Sequence, residues 1–149
     1  MSDPVCELPK KNASGDEMRR LLSEAKTIAV VGLSENPVRD SHRIAAYLRD
    51  HGYRVIPINP KLRGEVLGEK AYPDLASVPV PIDIVDVFRR VDAIPAIVDE
   101  AIAVGAKAVW MQLGLAHNAS AEKAKAAGLV VVQSKCIMVE HRHLGVSPR

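Results

Sequence analysis

Aromatic side chains are scarce in this chain. One Phe, one Trp and three Tyr among 149 residues amount to 3%, so the core has to be aliphatic, built from Val, Ile, Leu and Ala. Cysteine is scarcer still. Cys6 and Cys136 lie far apart and form no CxxC or zinc spacing, which points to reduced thiols in a cytoplasm. No apolar run approaches the roughly 20 residues of a membrane span. The stretch Met1–Glu7 lacks a basic region followed by an apolar segment, so no signal peptide is expected. Charge of one sign is not in excess either: a net charge of +2 and a pI near 8.6 are too weak and too scattered for a nucleic-acid surface. With 48% hydrophobic and 26% charged residues, what remains is an ordinary soluble chain whose length suits one domain around one core.

Residues 1–13 are polar, contain Pro4 and Pro9, and read as a flexible N-terminal arm. Ser14 and Glu17 have the spacing of a capping box. Met18, Leu21, Leu22 and Ala25 share one helical face, which predicts a helix over 16–25. Ile28–Val31 predicts a strand that is apolar on both faces, as central parallel strands are. Ser41 is placed to cap a second helix with the face Ile44, Ala45, Tyr47 and Leu48, closed by Gly52. A strand over Tyr53–Ile58 stops at Asn59-Pro60. The loop 61–70 has room for a small bent strand, and 75–78 for one helical turn. Strands over Asp83–Val87, Ala108–Gln112 and Leu129–Val132 then alternate with helices over Ala93–Val104, with Pro95 in its first turn, and Ser120–Ala127. A polar tail follows. The alternation predicts an α/β fold, a Rossmann-like doubly wound parallel sheet with helices on both faces. It occupies residues 14–144, and 145–149 are expected to be a loose tail.

The richest stretch is Thr27–Ser41, where a buried strand runs into Gly32, a short polar turn follows, and a helix begins. Open α/β sheets bind ligands beyond the carboxyl ends of their strands. A helix N-terminus offers phosphate unpaired N–H groups and a positive dipole end, and Arg39 adds a suitable cation. A nucleotide-like ligand is therefore implied, and what is missing narrows it. The dinucleotide pattern G-x-G-x-x-G is incomplete: after Gly32 come Leu33, Ser34, Glu35, Asn36 and Pro37, with Ser34 and Asn36 able to donate hydrogen bonds themselves. The acid that NAD sites place after the second strand is absent. Asn59, Pro60 and Lys61 stand there, and a lysine suits a ribose with an extra phosphate, as in NADP or coenzyme A. The strand Asp83–Val87 ends in the run Asp86, Val87, Phe88 and Arg89, which puts an aromatic and a cation at the carboxyl edge. Phe88 suits the flank of an adenine, and Arg89 suits phosphate.

Taken together, these segments resemble the small, stand-alone coenzyme A-binding proteins, whose domain also forms the nucleotide-binding part of succinyl-CoA synthetase and ADP-forming acyl-CoA synthetases. The resemblance spans roughly Ala25 to Leu144. It rests on Val30–Arg39, Val55–Pro60, Ile84–Arg89, Ala108–Gly114 and the late Cys136. It implies that Gly32, Ser34 and the turn Asn36, Pro37 and Arg39 contact a diphosphate. Asn59, Pro60 and Lys61 border the adenosine and its 3′-phosphate. Val87, Phe88 and Arg89 cover the adenine or ribose side, and Trp110, Gln112 and Gly114 lie near the pantetheine arm. Two departures fall at the pantetheine end: His117-Asn118 where the family has Asn-Glu, and Ser134-Lys-Cys136-Ile where it has Asp-Arg-Cys-Pro.

Other readings stand beside these. Ser34 lacks the second glycine of a nucleophile elbow, and no paired carboxylates or nucleophile–base pair point to a catalytic residue. Phe88 and Trp110 are by type as readily core as platform. Asp83 reads as opening its strand, and Asp86 as buried and hydrogen-bonded to neighbouring backbone. Cys136 is a candidate thiol site with Lys135 beside it, or an idle thiol. His141, His143, Glu140 and Cys136 match no standard closed metal site, so no metal is expected. The expected activity is the binding of coenzyme A or an acyl-CoA thioester in the cytoplasm, without nucleic acid or membrane. The alternatives are an NADP-dependent oxidoreductase and a non-catalytic interaction subunit of an acyl-CoA enzyme. A homodimer is left open, with the arm as one contact.

Overall fold

The computed structural model of the protein describes residues 7–146. Cys6 and residues 147–149 of the expected tail lie outside them. Helix α1 (Gly15–Glu24) is set by its capping box: Glu17 N donates to Ser14 Oγ (3.1 Å) and Ser14 N to Glu17 Oε1 (3.0 Å). These bonds satisfy two of the donors that a helix start leaves unpaired. Strand β1 (Thr27–Val31) follows, then α2 (Asp40–Asp50), β2 (Arg54–Ile58) and a small antiparallel hairpin of β3 (Glu65–Val66) and β4 (Glu69–Lys70). A 3₁₀ turn at Leu75–Ser77 leads to β5 (Ile84–Val87). A second 3₁₀ turn opens α3 (Ile94–Ala103), and β6 (Ala108–Met111), α4 (Asn118–Ala126), β7 (Val130–Val132) and α5 (Ile137–His143) complete the chain.

The five long strands form one parallel sheet in the order β2-β1-β5-β6-β7. The chain leaves β1 towards β2 on one side and returns to β5 on the other. The reversal opens a crevice at the carboxyl ends of β1 and β5. Side chains alternate across the sheet. Ile28, Val30, Ile84, Ala108, Trp110 and Val132 pack with α1, α2 and α5 on one face. Ala29, Val31, Val85, Val87, Val109 and Met111 pack with α3 and α4 on the other. Burial on both faces is why these strands read as unbroken apolar runs. Asp83 ties the entry of the sheet together: its Oδ2 accepts the N–H groups of Lys26 (2.8 Å) and Thr27 (2.9 Å). Burial pushes its carboxyl up, but those two N–H groups and Lys107 more than offset that, and the net shift is downward.

Three local expectations are corrected. Ser41 does not cap α2. Arg39 occupies that position without a side-chain cap bond, and Ser41 sits buried in the first turn with its Oγ accepting the Ser34 N–H (3.0 Å). The hydroxyl thus fastens the preceding turn instead of the helix. The polar stretch after β7 is not a tail throughout. It forms α5, because Ile137 and His141 reach the core while Glu140, Arg142 and His143 supply the polarity that hid it. Asp86 bonds the Gln112 side chain, not neighbouring backbone. Residues 7–12, read as part of an arm, lie along the start of α4 and the end of β7. Asn118 N donates to Glu7 Oε1 (2.7 Å), and Asn12 Nδ2 donates to the Gln133 carbonyl (2.8 Å).

Candidate functional site

The turn between β1 and α2 is built from its own polar side chains. Asn36 N donates to Ser34 Oγ (3.1 Å), and Val38 N to Asn36 Oδ1 (3.1 Å). Such local bonds are how Ser and Asn hold a turn open against helix or strand. Asn59 braces it from the end of β2: its Nδ2 donates to the Leu33 carbonyl (3.1 Å), and its Oδ1 accepts Lys61 N (3.0 Å). Gly32 is the hinge of the construction. Its φ is +90°, and a Cβ there would stand 2.3 Å from the Phe88 carbonyl oxygen and 2.9 Å from Arg89 Cδ. Only glycine lets β1 and β5 end this close together.

Beyond these ends the crevice has two adjoining compartments that share Asp40 and Phe88. The first, about 580 Å³, is lined by Gly32, Ser34, Arg39 and the first residues of α2. It faces a helix start that carries no side-chain cap, so backbone donors and the positive dipole end are available to an anion. Asp40, the one acid among the described residues that line it, is paired with Arg43 Nη2 (2.5 Å). The second, about 640 Å³, is more apolar and is lined by Phe88, Arg89, Gln112, Leu113, Cys136 and Met138, among others. A smaller cavity of about 230 Å³ on the β1–β2 side includes Val31, Ile58, Pro60, Arg89 and Glu100. Burial, and after it the charge of Asp74, raises the Glu100 carboxyl.

Gly32, Ser34, Arg39, Phe88, Arg89, Gln112 and Cys136 therefore meet in one crevice, and Pro60 borders the small cavity beside it. Asn36, Pro37 and Asn59 shape the turn and its brace, while Lys61 is an exposed residue beyond them. Val87 lies in the core under α3. Trp110 is fully buried on the opposite face, its Nε1 donating to the Lys135 carbonyl (2.8 Å), so it underlies the crevice without lining it. Gly114 sits in the turn after β6 at φ +90°, its N–H donating to Ser134 Oγ (3.1 Å). The structure adds Arg43, Leu113 and Met138, which sequence reading did not reach. Met138 was hidden because α5 was not recognised. Arg43 was visible only as a partner spaced three residues from Asp40.

Beneath the second compartment lies an acid–amide pair. Asp86 on β5 is fully buried, and Gln112 Nε2 donates to its Oδ1 (2.5 Å). Burial pushes the Asp86 carboxyl up to about 7, and the Gln112 hydrogen bond pulls the other way.

A doubly wound α/β domain with an uncapped helix start, a glycine-lined strand end and guanidinium groups at the rim has the features by which sheets of this kind can receive an anion. Comparison with known proteins gives its family. A family model described as a CoA binding domain matches residues 26–142, and the chain belongs to that family. It is 40% identical over 131 residues to the uncharacterized protein YneT of Bacillus subtilis (strain 168), covering 88% of this chain and 96% of YneT. A hypothetical protein from Pyrococcus horikoshii OT3 superposes with a TM-score of 0.86 at 38% identity, covering 97% of this chain and 99% of that one. The ADP-forming acetate–CoA ligase of Methanocaldococcus jannaschii is 24% identical over 136 residues, 86% of this chain but 19% of the ligase. The chain thus corresponds to about a fifth of that enzyme. Among the described residues no helix is long and apolar enough to cross a membrane.

Proposed function

We propose that this protein binds coenzyme A or an acyl-CoA thioester, reversibly and without turning it over. The observation that carries the reading is the crevice itself: a Cβ-free strand end at Gly32 abutting the uncapped start of α2, with Arg39 and Arg89 on its rim. A diphosphate at this position would receive backbone N–H groups, the helix dipole and bidentate guanidinium donors. The adenosine would lie towards Pro60 and Lys61, with the lysine serving a 3′-phosphate. The pantetheine would run along Phe88 and Gln112 towards Cys136, through the more apolar compartment. When bound, coenzyme A would supply a thiol or thioester at that end. This chain's residues hold and orient it, and the buried floor limits water. The cytoplasm, where coenzyme A is abundant and thiols stay reduced, is the compartment this role fits.

Calorimetric titration of the reduced protein with coenzyme A, dephospho-coenzyme A, NADP and NAD tests the proposal. The expected result is tight binding of coenzyme A, weakened both by loss of the 3′-phosphate and by Lys61→Ala. Binding of NADP alone would instead identify a nicotinamide-dependent protein, and silence from all four would favour a subunit that docks on a larger acyl-CoA enzyme.

A further inference from the structure

Asp86 and Gln112 leave two buried polar atoms without a partner, Asp86 Oδ2 and Gln112 Oε1. Each is an acceptor in the ordinary ionic form, and burial without a donor is costly for both. They belong to the same two side chains that already share the Gln112 Nε2 to Asp86 Oδ1 bond. One added proton on the carboxyl provides the single missing donor and satisfies both orphans at once. We propose that Asp86 is a protonated positioning residue: its Oδ2–H donates to Gln112 Oε1 while Gln112 Nε2 donates to its Oδ1, and this neutral ring fixes the Gln112 amide at the floor of the crevice.

The surroundings agree. Asp86 pairs in register with Val30 on β1 and Trp110 on β6, both apolar neighbours without charge. The charged or titratable groups lining the compartment above it are Asp40, Arg43, Arg89, Arg90 and Cys136, and α5 adds the buried His141. Asp40 and Arg43 are paired with each other, and His141 Nδ1 is bonded to the Tyr47 hydroxyl (2.8 Å). Burial is the larger influence on the carboxyl, and it acts upward.

The consequence for binding rests on the coenzyme A reading above. Ionisation of Asp86 sets its Oδ2 against Gln112 Oε1, leaves the amide held by the single Nε2 bond to Oδ1, and puts a negative charge under a crevice meant for a polyanion. A polyanionic ligand therefore favours the protonated form, and by linkage it draws in a proton as it binds.

Two measurements test this. In the ligand-free protein, infrared difference spectra with labelled Asp should show a protonated-carboxyl band near neutral pH, absent in Asp86→Asn. The Gln112 side-chain amide signals should titrate with the same midpoint. A carboxylate band persisting down to about pH 5, well below the raised value, would overturn the assignment. With coenzyme A, titrations between about pH 6 and pH 8 in buffers of different ionisation enthalpy should show proton uptake and a fall in affinity of about tenfold. Asp86→Asn keeps a donor for Gln112 Oε1, so its affinity should no longer vary with pH and its proton uptake should vanish. Equal pH dependence in both proteins would remove the positioning role. Failure of coenzyme A to bind at all would remove the coenzyme A reading and the positioning role together, while the infrared result still decides the proton.

Discussion

The two walls of the crevice are built on opposite physical plans. The β1–α2 wall is backbone and short polar side chains: Ser34, Asn36 and Asn59 hold the turn by their own hydrogen bonds, and the helix start beside it carries no side-chain cap. The wall over β5, β6 and the start of α5 is side chains over a deep core, with Gln112 and Cys136 at the rim and Trp110 and Asp86 sealed below. The first wall can receive charge because water and the helix start share the work of solvating it. The second sets an apolar surface and a buried acid–amide pair beneath its rim arginines, so the charge on Asp86 bears on whatever lies above it. A ligand with a charged end and a long, weakly polar arm matches this division.

The sharpest way to break the division is at its hinge. Gly32→Ala combines a positive φ with a Cβ driven into the Phe88 carbonyl, and should lower stability by roughly 3–5 kcal/mol in urea unfolding. Next comes the sealed wall. Between about pH 4 and pH 7 the unfolded chain releases the Asp86 proton and the folded chain keeps it, so stability falls as pH rises, by up to about 4 kcal/mol, and levels off above about pH 7. Asp86→Asn should remove that slope; unfolding midpoints across the range would show it, and an unchanged slope would count against a buried acid. The open wall should respond in binding and not in folding. Arg39→Ala is expected to weaken coenzyme A about tenfold, with a stability change within about 0.5 kcal/mol. The smallest effect belongs to a site far from both walls: Ser14→Ala removes the α1 cap bond and should cost about 1 kcal/mol with affinity unchanged.

The open wall was largely legible in sequence because its signals are local. A strand running into Gly32, a polar turn and Arg39 before a helix are all read within a dozen neighbouring residues. The sealed wall was not, since its members come from β5, β6 and α5 and acquire meaning only when the sheet stacks them. Asp86 announced itself as buried, but its partner lies 26 residues away. Trp110 carried the same apolar signal whether it faced a ligand or the core, and the register with Asp86 sends it inward. Ser41 looked like a cap by position, yet the turn needed its oxygen more than the helix did. Helix α5 escaped because its polar residues Glu140, Arg142 and His143 outnumber the two that are buried.

What the sequence determined by itself is the alternation of apolar strands and one-sided helices, and with it the parallel sheet and the place of its crevice. Period and burial are local properties that leave few ways to hide so much aliphatic surface. Only the tertiary structure decided which polar groups end up facing one another away from water: Gln112 with Asp86, Ser41 with Ser34, Asn118 with the residues before α1. Those pairings depend on distances between strands and loops far apart in the chain, and desolvation then fixes what each group can do.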